Sequence, residues 1–151
     1  MFDIAFESDT PELQDAGEEE WLALTGRIVI GDHAERFLAP VAFWSKNDYE
    51  RHWLHAARRL LTRADRTAFF TSTFQFWWVM WRVNDVVFVQ EQMLLADELP
   101  QPFAPNDPYR HIRDRTNVSR DGKPISEWQL AATDLRDFVA RRFAAQRTLG
   151  T

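Results

Sequence analysis

The fold is decided by residues 76–94, which read FWWVMWRVNDVVFVQEQML. Aromatic and β-branched residues fill both halves of this stretch, and such residues favour β-strands. Asn84 and Asp85 divide it, and a two-residue connection that tolerates a positive φ is typical of a tight hairpin. The first half is apolar on both faces, which predicts a central strand covered on both sides. The alternative is that one face is exposed as a partner surface.

Further strands and two helices are predicted on either side of this hairpin. Alternating apolar positions and flanking turn residues predict strands at residues 2–6, 26–31, 35–44 and 67–73. Ser45 and Asp48 have the spacing of a helix N-cap and its third residue, so a first helix is expected to run to about residue 64. Ser126 and Gln129 share this spacing, which predicts a second helix to about residue 146.

This order of elements predicts an α+β fold, with one mainly antiparallel sheet of about five to six strands packed with two main helices. A length of 151 residues fits a single domain, residues 1–151. Within it we expect an acidic N-terminal strand and loop at residues 1–25, with the loop at 8–20, and a core at 26–146. Apolar strand faces leave the oligomeric state open, because they allow either a covered sheet or a dimer.

Negative charge is concentrated at the start of the chain, whose formal net charge is −5. Residues 1–20 contain no Lys or Arg, and their acids are Asp3, Glu7, Asp9, Glu12, Asp15, Glu18, Glu19 and Glu20. This segment disfavours nucleic acid as a direct ligand, because phosphate binding requires clustered bases. It favours a basic protein partner, and the alternative is a solvated arm. The N-terminus has neither a basic region nor a long apolar run, so we expect no secretory signal and no membrane association.

Linear motifs for catalysis are missing from the sequence. The five glycines form no phosphate-binding loop, and the chain has no cysteine to act as a nucleophile or zinc ligand. Asp48, His52 and His55 have helical spacing that could bring metal ligands together, but we expect their shared face to point to solvent. A weaker candidate for binding a phosphate or carboxylate is formed by Tyr109, Arg110, His111 and Arg113. We therefore predict no catalytic residue, no metal and no cofactor.

Five segments, read together, resemble bacterial contact-dependent growth inhibition immunity proteins of the CdiI type. The segments are Gly26-Arg27-Ile28-Val29-Ile30-Gly31-Asp32; Phe43-Trp44 with Tyr49-Glu50 and Trp53; Trp77-Trp78 with Met80-Trp81-Arg82 and Val87-Phe88-Val89-Gln90; Pro108-Tyr109 with Ile112 and Arg115; and Gly122-Lys123-Pro124-Ile125-Ser126-Glu127-Trp128. The resemblance covers residues 26–128, and residues 1–25 lie outside it. Its matching positions are core, strand and cap residues, so no binding residue is carried over from the family.

The resemblance implies a cytoplasmic protein made beside a toxin whose C-terminal domain is delivered into neighbouring cells. Such an immunity protein binds its cognate toxin domain, often a nuclease, and blocks the active site or the substrate path without cofactor or turnover. A nuclease needs a basic groove, which an acidic protein complements. We therefore predict toxin-binding residues in the acidic segment, namely Asp15, Glu18, Glu19 and Glu20. The alternatives are an adaptor or regulatory protein-binding module outside toxin systems and a small enzyme with a non-linear active site.

Overall fold

Two four-stranded sheets and two helices make up the protein, in a computed structural model that describes residues 1–17, 19–72, 76–93, 108–119 and 121–149. The first sheet contains β1 (Phe2–Phe6), β2 (Glu12–Ala16), β3 (Glu19–Ile30) and β4 (His33–Pro40). The second sheet contains β5 (Arg66–Ser72), β6 (Phe76–Val83), β7 (Val86–Met93) and β8 (Trp128–Ala131). The helices are α1 (Lys46–Thr62), α2 (Ala132–Leu149) and a short 3-10 helix at Pro108–His111.

Every strand pair in the two sheets is antiparallel, so the predicted α+β class is confirmed. In the first sheet, β1 and β2 pair in succession along one edge of β3, and β4 pairs along the other edge. The second sheet has the order β5-β6-β7-β8. The expected single sheet of five to six strands is therefore replaced by two, since β4 and β5 do not pair and two unpredicted strands, β2 and β8, are added.

The predicted hairpin at residues 76–94 is confirmed over its described residues as β6 and β7. Asn84 adopts a positive φ of 58°, as a tight turn requires. Trp77 and Trp78 point to opposite faces of β6 and are only 1% and 2% exposed. The sheet is therefore covered on both sides at this strand, and the alternative of an exposed partner surface on β6 is wrong.

Aromatic side chains join the helices to both sheets. The Phe2 ring of β1 lies 5.5 Å from Phe69 of β5 and 5.1 Å from Phe138 of α2, measured between ring centroids. Trp53 of α1 donates an indole hydrogen bond of 2.8 Å to the Phe70 carbonyl of β5. Within the described residues, neither helix is long and apolar enough to cross a bilayer.

The first helix begins as its sequence predicts. The Asp48 amide donates to Ser45 Oγ at 3.2 Å, and the Ser45 amide donates to Asp48 Oδ2 at 2.9 Å, which completes a capping box. The helix ends at Thr62, two residues before the expected position at Ala64. Its apolar side is buried, with Tyr49 and Trp53 at 0% and 1% exposure.

The start of the second helix was predicted at Ser126, and this prediction is wrong. Residues Trp128–Ala131 form β8 and pair with Val86–Val89 of β7, so their backbone groups are used in the sheet. The helix begins at Ala132, where Asp134 Oδ2 accepts a hydrogen bond of 2.9 Å from the Ala131 amide. Strand pairing across the fold has overridden the local capping signal.

The expected acidic loop at residues 8–20 is also wrong. Residues Glu12–Ala16 form β2, and β3 begins at Glu19, not at residue 26 as predicted. Gly17 lies between the two strands with a positive φ of 80°, which glycine adopts without strain. The third predicted strand, at residues 35–44, is observed as β4 at His33–Pro40.

Candidate functional site

Three of the predicted toxin-binding residues, Asp15, Glu19 and Glu20, lie on a β-hairpin that extends from the first sheet. We call residues 12–16 and 19–23 the acidic hairpin, because β2 and the start of β3 pair there. β4 pairs with β3 only from Ala23 onward, so residues 19–22 have a strand partner on one side alone. The hairpin therefore projects past the end of the sheet into solvent.

The structure brings two of the four predicted residues together. Asp15 and Glu20 are opposite each other in the strand register, so their side chains share one face of the hairpin. Glu19 is opposite Ala16 and lies on the other face, and all three acids are exposed. Glu18 lies outside the described residues. The consecutive glutamates thus diverge, as the alternation of a strand requires.

The acids of the N-terminal segment fall into two groups. Three of them form ion pairs within the fold: Asp3 with Arg142 at 2.9 Å, Glu7 with Arg36 at 3.0 Å, and Asp9 with Lys46 at 2.8 Å. The hairpin acids Glu12, Asp15, Glu19 and Glu20 form no ion pair with any described residue and are exposed. Among the described acids of residues 1–20, those without an ion-pair partner therefore all lie on the hairpin.

Two apolar residues on the same hairpin were not predicted from the sequence. Leu13 and Leu22 are opposite each other on β2 and β3 and are 60% and 49% exposed. Both leucines belong to the face that carries Asp15 and Glu20, because alternate residues of a strand share a face. The sequence signal that could have found them is a leucine on each side of Gly17, where a turn would bring the two together. The many acids of this segment made it resemble a loop and obscured this signal.

The helical candidates for a metal site do not converge. Asp48 caps α1, and His52 Nε2 accepts a hydrogen bond of 2.9 Å from the Phe70 amide, so that lone pair is occupied. Burial, together with the nearby His55, lowers the pKa of His52 to about 3. His52 was expected to face solvent, and this is wrong because its side of α1 packs against β5. Across the described ranges, no group of three His, Asp or Glu residues is placed to hold a metal.

The weaker anion-binding candidate is divided between the interior and the surface. Tyr109 and His111 are each 7% exposed, whereas Arg110 and Arg113 are exposed. The guanidinium of Arg59 lies 4.4 Å from the centroid of the Tyr109 ring, which is a cation–π contact. These side chains therefore do not form one concave site for a phosphate or carboxylate.

A cavity of about 450 Å³ at the junction of the sheets contains a carboxyl pair that the sequence did not predict. The Glu91 carboxyl shares a hydrogen bond with Glu35, and burial with the nearby Glu35 charge raises the pKa of Glu91 to about 7. His33 stacks on Trp128 at 4.4 Å, with its Nε2 3.7 Å from the Glu35 carboxylate. The Glu35 side chain is 46% exposed. Water therefore reaches this pair, whereas general acid–base chemistry favours a water-excluded site.

Similarity to known proteins is found in sequence and in structure. The family model described as the CdiI N-terminal domain matches residues 39–138. The immunity protein CdiI of Enterobacter cloacae subsp. cloacae is 29% identical over 118 residues, which cover 74% of this chain and 81% of that protein. A chain of the solved CdiA-CT/CdiI toxin and immunity complex from Enterobacter cloacae matches with a TM-score of 0.79 at 27% identity. This match covers 93% of the present chain and 97% of the other.

Proposed function

The chain belongs to the family described as the CdiI N-terminal domain, and we propose from this premise that it is an immunity protein that binds and neutralises a cognate toxin domain. Two findings support the proposal, since the matching sequence relative is an immunity protein and the matching structure comes from a toxin and immunity complex. Neutralisation by binding requires no catalysis, so the protein acts as a non-enzymatic inhibitor. It acts in the cytoplasm, and residues 1–151 work as one immunity domain.

The single observation that supports the position of the binding site is the unpaired charge of the acidic hairpin. Its exposed carboxylates lack ion-pair partners in the described part of the chain, whereas Asp3, Glu7 and Asp9 have them. Asp15, Glu19 and Glu20, with Glu18 beside them in sequence, are therefore the toxin-contacting acids. The hairpin also lies outside residues 39–138, the part that the family model matches. A surface that selects one partner must differ between relatives that select others.

The charge of the hairpin defines the chemistry of the partner surface. Unpaired carboxylates complement a basic patch, and a nuclease domain has such a patch where it binds the phosphates of its substrate. The cognate toxin domain is accordingly a nuclease, and the hairpin obstructs its active site or the path of its substrate. Electrostatic complementarity of this kind speeds association and selects the correct partner.

Co-expression tests the proposed function. The C-terminal domain of the large exoprotein that the proposal expects to be encoded beside this chain is induced in cells with and without the chain, and surviving cells are counted. We expect survival only when the chain is present, together with co-purification of the two proteins. Death in both strains, or an adjacent exoprotein domain that is not toxic, would contradict the proposal. A stable complex with a host protein in that case would favour the adaptor alternative.

A further inference from the structure

The acidic hairpin carries an apolar pair that its charge does not explain. Leu13 and Leu22 lie directly opposite each other, so their side chains are neighbours on one face. Single exposed leucines are common on protein surfaces, but this pair is contiguous and about half exposed. A solvated arm gains nothing from such a patch, because exposing apolar surface to water is unfavourable.

The leucine pair lies on the continuation of the core-facing side of β3. Leu22 shares this face with Leu24 and Ile28, which are 1% and 0% exposed. The Val41 amide donates a hydrogen bond of 3.1 Å to the Leu22 carbonyl, just beyond the end of β4. This bond continues the register of β3 and β4 and sets Val41 opposite Leu22, so the two share a face. Phe43 follows two residues later and is 82% exposed. The apolar face that is buried in the core thus becomes a solvent-exposed patch at the hairpin.

Two acidic residues border this patch on one side. Asp15 and Glu20 are the next opposed pair on the same face, closer to the turn of the hairpin. An apolar centre bordered by charged residues is the usual composition of a protein interface. The exposed face therefore combines a patch that favours burial with a rim that selects a basic neighbour.

We propose that this face, formed by Leu13, Leu22 and Val41 with Asp15 and Glu20 at its rim, docks on the cognate toxin domain. The inference rests on the proposed function and specifies its binding site. The partner surface has the complementary composition, an apolar patch with Lys or Arg beside it. A second copy of this chain is disfavoured as the occupant, because residues 12–23 contain no Lys or Arg to pair with the Asp15 and Glu20 of another copy.

The two kinds of residue have separate kinetic roles. Charged rim residues act over distance and mainly change the association rate. Apolar side chains act only after contact, and their loss mainly increases the dissociation rate. The leucine pair therefore determines how long the complex lasts, and the acids determine how quickly it forms.

A kinetic comparison of leucine variants tests this inference. The purified C-terminal domain of the adjacent exoprotein is immobilised, and association and dissociation rates are measured for the full chain and the variants L13A/L22A, L13M/L22M and L38A. Leu38 is a matched control, since it is 40% exposed and lies on the opposite face of the same sheet. Thermal unfolding and light scattering show that each variant is folded and report its oligomeric state.

We expect L13A/L22A to dissociate about tenfold faster or more, equivalent to about 1.4 kcal/mol, with association nearly unchanged. L13M/L22M should restore slow dissociation, and L38A should behave as the unmodified chain. Unchanged dissociation of L13A/L22A beside a normally binding unmodified chain would overturn the docking face and leave the immunity function intact. A dimer that becomes monomeric only in L13A/L22A would assign the face to a second copy and overturn the inference. Failure of the unmodified chain to bind would contradict the proposed function itself.

Discussion

Reversing the charge of the hairpin acids should slow association with the toxin domain. The variant D15K/E19K/E20K adds two positive charges at each of three positions, which changes the formal net charge from −5 to +1. All three side chains are exposed, and none forms an ion pair with a described residue. The substitutions therefore remove no ion pair that stabilises the described part of the fold, and their effect can be read as an effect on binding.

The magnitude follows from the range of electrostatic steering. Complementary charge raises association rate constants at low salt from about 10⁵–10⁶ to as much as about 10⁸–10⁹ M⁻¹s⁻¹, so a loss of about tenfold or more is expected for the variant. At an ionic strength of about 0.01 M the Debye length is about 30 Å, and the loss should be largest there. At about 1 M the Debye length is about 3 Å, so the variant and the unmodified chain should associate at similar rates.

Stopped-flow tryptophan fluorescence measures this association across a salt series, since the chain contains seven tryptophans. The matched control is D32K/D121K/D137K, which makes the same change in net charge at exposed positions outside the hairpin. Association of the hairpin variant at the unmodified rate in low salt would refute the reasoning. Equal slowing by the control variant would show that overall charge, and not the hairpin, directs the encounter.

Three further predictions concern the fold. The pKa of Glu91 is raised to about 7, so the folded chain holds a proton that the unfolded chain releases near its ordinary pKa of 4.5. The free energy of unfolding should fall as pH rises through that window, and E91Q should flatten this dependence in urea titrations at several pH values. S45A should cost about 1 kcal/mol by removing the cap of α1, and an unchanged urea midpoint would contradict that role. G26A should cost about 1–3 kcal/mol, because a methyl group there overlaps the Phe37 ring. Calorimetry measures this cost beside G17A, where a methyl group meets no neighbour and only the positive φ is strained, and a G26A variant that loses no more stability than G17A would contradict the overlap.

Elements with local signals were predictable from the sequence. The N-cap of α1 depends on Ser45 and Asp48, which are three residues apart, and the hairpin of β6 and β7 depends on its two-residue turn. Both signals act within a few residues, so no knowledge of the remaining chain was needed. The start of α2 was not predictable in this way, because Ser126 and Gln129 have the spacing of a capping box but residues 128–131 pair with β7.

For the candidate site, the sequence predicted the negative charge but not the arrangement of the side chains. The density of acids in residues 1–20 directed attention to Asp15 and Glu20, but it also made the segment resemble a loop. Strand pairing between residues 12–16 and 19–23 reveals which acids share a face and that Leu13 and Leu22 lie beside them. The carboxyl pair of Glu35 and Glu91 joins residues that are distant in sequence and lie in different sheets. The alternation of side chains along one strand shows which face a residue occupies, but not which strand of the other sheet packs beside that face.

Amide hydrogen exchange of the full chain, with and without the purified toxin domain, tests the central claim most directly. Docking through the acidic hairpin predicts slower exchange on binding at residues 12–16 and 19–23, and at the Val41 amide that donates to the Leu22 carbonyl. The two helices, α1 and α2, should exchange at the same rate in both samples. Protection of the helices or of the Glu35 and Glu91 cavity, with unchanged exchange in the acidic hairpin, would contradict the account.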